Sequence, residues 1–212
     1  MTDYNLHSYW RSSCSWRVRW AMKLKGLSHS ITPVNLLKNE QFGEEYISLN
    51  PNSRLPTLAF EGHNISGSLP IIDYLEEKHP ENPLYPNDLI TKAKVRELVN
   101  IIACDTQPVQ NLAVMKYFSD DTEKRKEYAK HWITRGLKAY EAVASKVAGT
   151  YSVGGMITAA DICLIPQVYN ANRFGVDLDP FPTIKRIWKS CMSLDSCKAA
   201  APEEQIDAIK PA

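Results

Sequence analysis

Three hydroxyls and one thiol, side chains that can stabilise or become an anion, stand together near the amino terminus: Ser12, Ser13, Cys14 and Ser15. Before them, the alternating run at residues 4–9 predicts a buried strand, and after them the spacing up to a stop signal at Gly26 predicts a helix. The free N–H groups and the positive dipole end of a helix favour an anion at such a junction. The pattern therefore predicts an anion site, and a sulfur anion is its natural occupant.

The same stretch has alternative explanations. Serine is a preferred helix N-cap, so the hydroxyls taken alone are more often caps than catalytic groups. Cys14 is an alternative nucleophile, but it lacks a resolving cysteine three residues on, where Arg17 stands. We interpret Arg17 and Arg19 as surface salt-bridge residues, and Trp16 and Trp20 as packing residues.

The composition excludes several classes of protein. The chain has 212 residues, 44% of them hydrophobic and 23% charged, which is typical of a soluble globular protein with one large domain or two small ones. Its 25 Lys and Arg residues balance 24 Asp and Glu residues, so no overall charge attracts nucleic acid or an acidic membrane. No apolar run approaches the length of a membrane span, and no secretion signal is recognisable at the amino terminus.

The cysteines predict a reducing environment. The five of them are odd in number, none belongs to a CxxC pair, and no histidine lies near them at the spacing of metal ligands. We therefore expect mostly buried structural thiols, no bound metal and a cytoplasmic location.

The rest of the first third alternates between strand and helix patterns. Short strands are predicted at three further places, residues 30–34, 54–60 and 64–65. Pro33 indicates that the first of these is an edge strand, and Glu61-Gly62 predicts a hairpin turn. Helices are predicted at residues 44–49 and 69–79, the second with Ile71, Ile72 and Leu75 on its buried face.

A proline-rich break at residues 79–86 separates this part from a purely helical one. Five helical patterns follow, at residues 91–117, at 121–147, from 158, from 182, and at 194–201. Pro108 is expected to kink the first of them, and Thr158 with Asp161 forms a capping pattern at the start of the third. The chain thus predicts a domain of strands and helices followed by an all-helical domain.

The run Ser12-Ser13-Cys14-Ser15-Trp16-Arg17-Val18-Arg19 resembles the signature of zeta-class glutathione transferases, whose best-known activity is maleylacetoacetate isomerase. Further segments agree with this family along nearly the whole chain: Asn50-Pro51, Leu55-Pro56-Thr57-Leu58, Tyr74-Leu75-Glu76-Glu77, Gln107-Pro108, Ala160-Asp161 and Arg173-Phe174. The resemblance implies an α/β thioredoxin-like N-terminal domain plus an all-α C-terminal domain. It implies a glutathione-binding domain at residues 1–80, a linker at 81–90, and a helical domain carrying the acceptor-substrate pocket at 91–212.

The resemblance also implies glutathione as the cofactor of an isomerase that converts maleylacetoacetate to fumarylacetoacetate by reversible thiolate addition. Ser12 is then expected to donate to the sulfur, supported by Ser13 and Cys14. The other expected glutathione contacts are Gln41, Leu55, a cis Pro56, Gly67, Ser68, Gln107 and Asn111. Arg11 and Arg173 are expected to bind the substrate carboxylates.

The implied partners are an electrophilic carboxylate substrate and a second copy of the chain in a homodimer, with no nucleic acid and no membrane. The implied setting is the catabolism of aromatic amino acids such as tyrosine. The chain departs from the family at Gly67, where glutamine is usual, and at Pro70, where alanine is usual. The first change removes a side chain that would contact the γ-glutamyl group.

Three alternatives stay open. A general detoxifying glutathione transferase would use the same thiolate site without a cationic acceptor pocket. A maleylpyruvate isomerase would use the same chemistry, but that resemblance implies arginines near the places of Leu112 and Ala113. A non-catalytic glutathione-binding protein would keep only the fold. Gln41, taken without the family pattern, is equally well explained as a solvated loop residue.

Overall fold

The computed structural model describes residues 3–209. By their contacts, these residues form two compact units. The first contains the chain up to Pro83 together with the segment from Leu194 onward, and the second contains Leu84–Ser193. The boundary after Pro83 falls inside the linker predicted at residues 81–90. The segment from Leu194 onward is grouped differently from the sequence-based division, which places it in the helical domain.

The first unit is built on a four-stranded sheet with the strand order β2-β1-β3-β4. Its strands are β1 (Tyr4–Ser8), β2 (His29–Pro33), β3 (Thr57–Phe60) and β4 (His63–Ser66). β2 is parallel to β1, and the other neighbours are antiparallel. β2 lies at an edge, as Pro33 predicts, because proline cannot donate to a further strand. Glu61 and Gly62 have positive φ angles of 47° and 79°, which suit a two-residue hairpin turn.

Three helices surround this sheet: α1 (Ser13–Leu24), α2 (Glu44–Leu49) and α3 (Ser68–Lys78). A cluster of buried side chains from the sheet, α1 and α3 forms the core: Tyr4, Leu6, Val18, Met22, Leu58, Phe60, Ile71 and Leu75. Each fully buried aliphatic side chain contributes about 1.5–3 kcal/mol. The core therefore fixes α1 and α3 on the sheet, and with them the positions of their first turns.

The second unit is helical, with α4 (Leu89–Asn100), α5 (Leu112–Phe118), α6 (Thr122–Ala144), α7 (Ala159–Arg173) and α8 (Pro182–Met192). A π-helical segment, Ile101–Thr106, continues α4. The expected kink at Pro108 is wrong, because the helix ends before this residue and a new one begins. Proline has no N–H and clashes with the preceding turn. Asn111 then accepts the N–H of Ala113 at 3.1 Å, which caps α5.

The last helix, α9 (Asp195–Ala200), packs against α1 in the first unit. Trp20 Nε1 donates to Ser196 Oγ at 3.3 Å, and Arg19 Nε donates to the carbonyl of Ala200 at 3.0 Å. The periodicity of the sequence predicts this helix but contains no information about its packing partner.

Candidate active site

The start of α1 is half-buried, whereas the middle of that helix, from Ser15 to Met22, is buried. Ser12 is its N-cap, and Ser12 Oγ accepts the N–H of Ser15 at 3.2 Å. Ser12, Ser13 and Cys14 are half-buried, whereas Ser15 is fully buried. Because a hydroxyl has one donor and two acceptor positions, capping leaves the O–H of Ser12 able to donate. The first turn contains no acidic residue, so the chain supplies no carboxylate of its own here.

The five thiols differ in their exposure to solvent. All five cysteines are free, with Cys163, Cys191 and Cys197 buried, Cys14 half-buried and Cys104 exposed. Burial raises the pKa of the Cys197 thiol to about 12, which makes it inert.

Within residues 3–209 no group of three His, Cys, Asp or Glu side chains could hold a metal ion. No helix in that range is long and apolar enough to cross a membrane.

The interpretation of Arg17 and Arg19 as surface residues is wrong, since each is only 1% exposed. Arg17 Nη1 donates to Ser68 Oγ at 3.2 Å, and Arg19 donates to the carbonyls of Tyr9 and Trp10 just after β1. The sequence did contain a signal. Residues two apart on a helix lie about 200° apart around its axis at 3.6 residues per turn. Both arginines therefore cannot share one solvent-exposed face.

The residues before β3 offer backbone groups to an extended ligand. The Leu55–Pro56 peptide bond is cis, as expected. The carbonyl of Pro56 accepts the N–H of Gly67 at 2.9 Å, which joins this turn to the start of α3. Leu55 is buried, and no described residue hydrogen-bonds to its backbone N–H or C=O. Both groups are thus available to pair with a peptide as an added strand would.

The start of α3 lies next to this turn. Gly67 is its N-cap with a φ of 92°, a conformation that favours glycine. Ser68 is the first helical residue and is buried, with its hydroxyl accepting from Arg17. The N-terminal N–H groups of α3 favour a carboxylate at this point.

Gln41 is buried, which excludes its interpretation as a solvated loop residue. Its amide oxygen Oε1 has no hydrogen-bond partner among the described residues. Leaving a buried polar atom unpaired costs about 1–3 kcal/mol. A ligand that donates to this oxygen would remove that cost, so the residue fits a polar cofactor such as a peptide.

Arg11 is half-buried, and its guanidinium lies 5.1 Å from the centre of the Trp10 ring. Arg11 directly precedes Ser12, the N-cap of α1. This cation–π contact holds the side chain without consuming its hydrogen-bond donors.

The remaining predicted site residues lie in the second unit. Gln107 and Asn111 do not sit one turn apart on a continuous helix, because residues 107–110 form a turn and Asn111 caps α5. Arg173 ends α7 and is exposed. Its Nη1 donates to Asn170 Oδ1 at 3.1 Å, and its guanidinium lies 5.3 Å from the centre of the Phe174 ring.

Two family models match this chain. Residues 11–78 match the glutathione S-transferase N-terminal domain, and residues 106–195 match the C-terminal domain. A probable maleylacetoacetate isomerase 2 of Drosophila melanogaster is 50% identical over 204 residues, covering 95% of this chain and 89% of its own. The maleylacetoacetate isomerase of Mus musculus is 45% identical, covering 95% of this chain and 94% of its own.

Solved structures that resemble this chain belong to the same family of isomerases. The maleylacetoacetate isomerase of Anaeromyxobacter dehalogenans, with glutathione bound in its active site, has a TM-score of 0.90 at 41% identity, covering 98% of this chain and 99% of its own. A bacterial zeta-class maleylpyruvate isomerase has a TM-score of 0.94 at 36% identity, covering 97% of this chain and 100% of its own. The sheet of the first unit is that of the thioredoxin-like domain, and the second unit is helical as expected. This chain therefore belongs to the glutathione S-transferase family, in the zeta class with the maleylacetoacetate isomerases.

Proposed function

We propose that this protein is a glutathione-dependent isomerase that converts maleylacetoacetate to fumarylacetoacetate, with glutathione transferase activity beside it. The observation that carries the proposal is the open start of α1, where the Ser12 hydroxyl can donate and no side chain of the first turn supplies an anion. When bound, glutathione would supply a thiolate that adds reversibly to the activated double bond. The electron pair of the π bond moves to an enolate, so the former double bond is single and can rotate before elimination of the thiolate re-forms it.

Ser12 has the task of keeping that sulfur ionised. A free thiol has a pKa of about 8.5, and lowering it by about 2 requires about 2.7 kcal/mol of preference for the anion. One charge-assisted hydrogen bond contributes about 1.5–3 kcal/mol and a helix end about 0.3–1 kcal/mol. Ser12 and the start of α1 together supply this amount. Ser13 and the N–H of Cys14 are further donors.

The other residues hold the tripeptide. The N–H and C=O of Leu55 would pair with the cysteinyl amide beside Pro56. Gly67 and Ser68 at the start of α3 would receive the γ-glutamyl carboxylate, and the buried Gln41 would contact the glycyl end. Gln107 and Asn111 are proposed as further contacts from the helical domain.

Cations have the task of orienting the substrate. The substrate carries carboxylates and develops enolate charge, so we assign Arg11 and Arg173 to bind these groups. A general detoxifying transferase would not need them. Activity with maleylpyruvate would be low, because Leu112 and Ala113 stand where arginines would be expected.

An assay of two reactions tests this proposal. We expect Arg173→Met to raise KM for maleylacetoacetate about tenfold, as loss of a charged hydrogen bond worth about 1.4 kcal/mol would do, and to spare conjugation of an uncharged electrophile. Arg135→Met is a matched control, because Arg135 is exposed in the same unit and also lies over an aromatic ring, 5.1 Å from the centre of Trp132. Equal losses in both reactions, or a lower melting temperature with unchanged kinetics, would return Arg173 to a structural role.

We also propose a cytoplasmic homodimer that acts in aromatic amino acid catabolism. The family supports the dimer and the pathway, and the five free thiols suit a reducing compartment. Sedimentation at micromolar concentration should give about twice the 24.0 kDa of one chain. A particle of 24.0 kDa would contradict the dimer.

A further inference from the structure

One buried arginine joins three parts of the first unit. Arg19 Nε donates to the carbonyl of Ala200 at 3.0 Å, and Nη2 donates to the carbonyl of Trp10 at 3.0 Å. Nη1 donates to Ser8 Oγ at 3.0 Å and to the carbonyl of Tyr9 at 3.4 Å. All three nitrogens of the guanidinium therefore have partners, although the side chain is 1% exposed.

We propose that Arg19 is a positioning residue for the thiolate site, and this inference rests on the proposed role of Ser12. The carbonyl of Tyr9 that Arg19 binds also accepts the N–H of Ser12 at 3.0 Å. The N–H of Tyr9 in turn donates to Ser15 Oγ at 3.5 Å, and Ser12 Oγ caps the N–H of Ser15. Arg19 and Ser12 therefore donate to the same carbonyl, that of Tyr9, and Ser12 is the proposed donor to the glutathione sulfur.

The carboxyl-terminal segment holds the same peptide from its other side. Asp207 Oδ2 accepts the N–H of Trp10 at 2.9 Å, while Arg19 binds the carbonyl of the same residue. Burial lowers the pKa of Arg19 to about 9, and the charge of Asp207 opposes this change. The guanidinium is therefore charged at neutral pH. The segment from Leu194 onward therefore helps to hold residues 9–12, which lead into α1.

Arginine is required at this place because of its shape. Its planar fork reaches oxygens in several fixed directions, whereas the ammonium of lysine is a compact point charge on a flexible stem. Arg19→Lys keeps the charge but cannot hold the carbonyls of Tyr9, Trp10 and Ala200 together. The Ser12 hydroxyl would then be less well aimed, and poorly placed catalytic groups lose large factors in rate.

The test compares Arg19→Lys with Ser12→Ala. The pKa of the thiol of enzyme-bound glutathione is measured from its ultraviolet thiolate absorbance against pH, together with kcat, the glutathione Kd and the melting temperature. For Arg19→Lys we expect the pKa of the bound thiol to rise by about one pH unit, and kcat at neutral pH to fall about tenfold. The rate should recover at higher pH, and the Kd should stay within about threefold of wild type.

Two further variants keep the test decisive if Arg19→Lys does not fold. Asp207→Ala removes the acceptor of the Trp10 N–H, and Ser8→Ala removes one partner of Arg19, so both should give a smaller rise in the same pKa. Asp195→Asn is the control, because Asp195 is an exposed residue of α9 that pairs with Lys198 at 3.7 Å. It should change none of these quantities.

The outcomes separate the inference from the proposed function. If Ser12→Ala raises the pKa of the bound thiol but Arg19→Lys and Asp207→Ala only lower the melting temperature, Arg19 is structural and the inference is overturned. If Ser12→Ala leaves that pKa unchanged, the assignment of Ser12 as the donor fails, and the inference fails with it.

Discussion

The two helices α1 and α7 begin in opposite ways. At the start of α1, Ser12, Ser13 and Cys14 are half-buried, and the first turn has no acidic residue. At the start of α7, Thr158 and Asp161 are both fully buried. Asp161 Oδ1 accepts the N–H of Ser152 at 2.7 Å, and Oδ2 accepts the N–H and hydroxyl of Thr158 at 2.8 and 3.1 Å.

Both places have the same physical problem, because the first N–H groups of any helix lack partners within the helix. α7 solves it with a carboxylate of its own chain, in a capping box that Ser152 and Tyr140 extend through a hydrogen bond of 2.7 Å. α1 has only hydroxyls and a thiol, which leave room for an anion from outside. Of these two helix starts, only that of α1 is open to the external anion that we propose for it.

The largest expected effect is the loss of turnover in Ser12→Ala. Removing one donor to a reactive anion typically costs about 100-fold to 1000-fold in kcat. Glutathione binding should change only a few-fold, because the donor acts mainly on the ionised form. The lost N-cap should cost only about 1 kcal/mol of stability. Steady-state kinetics, calorimetric binding of glutathione and thermal unfolding measure the three quantities.

Cys14→Ala provides the comparison for that result. We expect a loss of only a few-fold in kcat, because the N–H of residue 14 remains in place. If Cys14→Ala abolishes activity while Ser12→Ala does not, the two roles are reversed, and the thiol itself is the nucleophile.

At α7 we expect a loss of stability and no loss of turnover: Asp161→Asn should lower the free energy of unfolding by about 2–4 kcal/mol. The NH2 group of the new asparagine would face the buried N–H groups of Ser152 or Thr158, which are also donors. Each buried polar group left unpaired in this way costs about 1–3 kcal/mol. The kcat of the folded variant should equal that of wild type. Urea unfolding measures the loss.

A second capping carboxylate, Asp121, tests whether burial causes the large loss of stability expected for Asp161→Asn. Asp121 caps α6 in the same way, accepting the N–H of Glu123 at 2.8 Å and of Lys124 at 3.3 Å, but it is exposed. Asp121→Asn should cost no more than about 1 kcal/mol. Equal losses for the two variants would show that burial adds nothing to the capping box of α7.

The sequence predicts both helix starts because their signals are local. The serines before α1 and the Thr158–Asp161 spacing each lie within one turn, and the structure confirms a cap at both places. The partners of Arg19 are less local: Ser8, Tyr9 and Trp10 come from the end of β1 and the residues after it, and Ala200 lies 181 residues away. The packing of α9 was missed for the same reason, since periodicity identifies a buried face but not the element that covers it.

Some features of the candidate site could likewise be predicted from the sequence, and others could not. The open helix start could be deduced from residue types, and the cis bond at Pro56 only from the family resemblance, since about 5–6% of such bonds are cis. The burial of Gln41 had no sequence signal, because a polar residue in a polar loop is normally exposed. Such residues become predictable only when the fold that surrounds them is known.

The smallest expected effects concern a third helix start, that of α3. Gly67 has a φ of 92°, and a Cβ built there would lie 3.5 Å from Pro70 Cδ, an ordinary contact. Gly67→Ala should therefore cost about 1–2 kcal/mol, from backbone strain and not from a clash. Gly67→Gln, which restores the residue usual in the family, should have the same cost in urea unfolding, because the strain depends on the backbone.

The two substitutions should differ in glutathione affinity. If the family's glutamine contacts the γ-glutamyl group, Gly67→Gln should bind glutathione about 2-fold to 10-fold more tightly than Gly67→Ala, as one hydrogen bond of about 0.5–1.5 kcal/mol predicts. Calorimetric titration of both variants measures the ratio. Equal affinities would mean that the start of α3 holds its carboxylate through backbone N–H groups and Ser68 alone. In that case α3 would bind an anion in the way proposed for α1, through the N–H groups of its first turn and one serine hydroxyl. Glycine at residue 67 would then avoid the backbone strain of a larger residue without any loss of glutathione affinity.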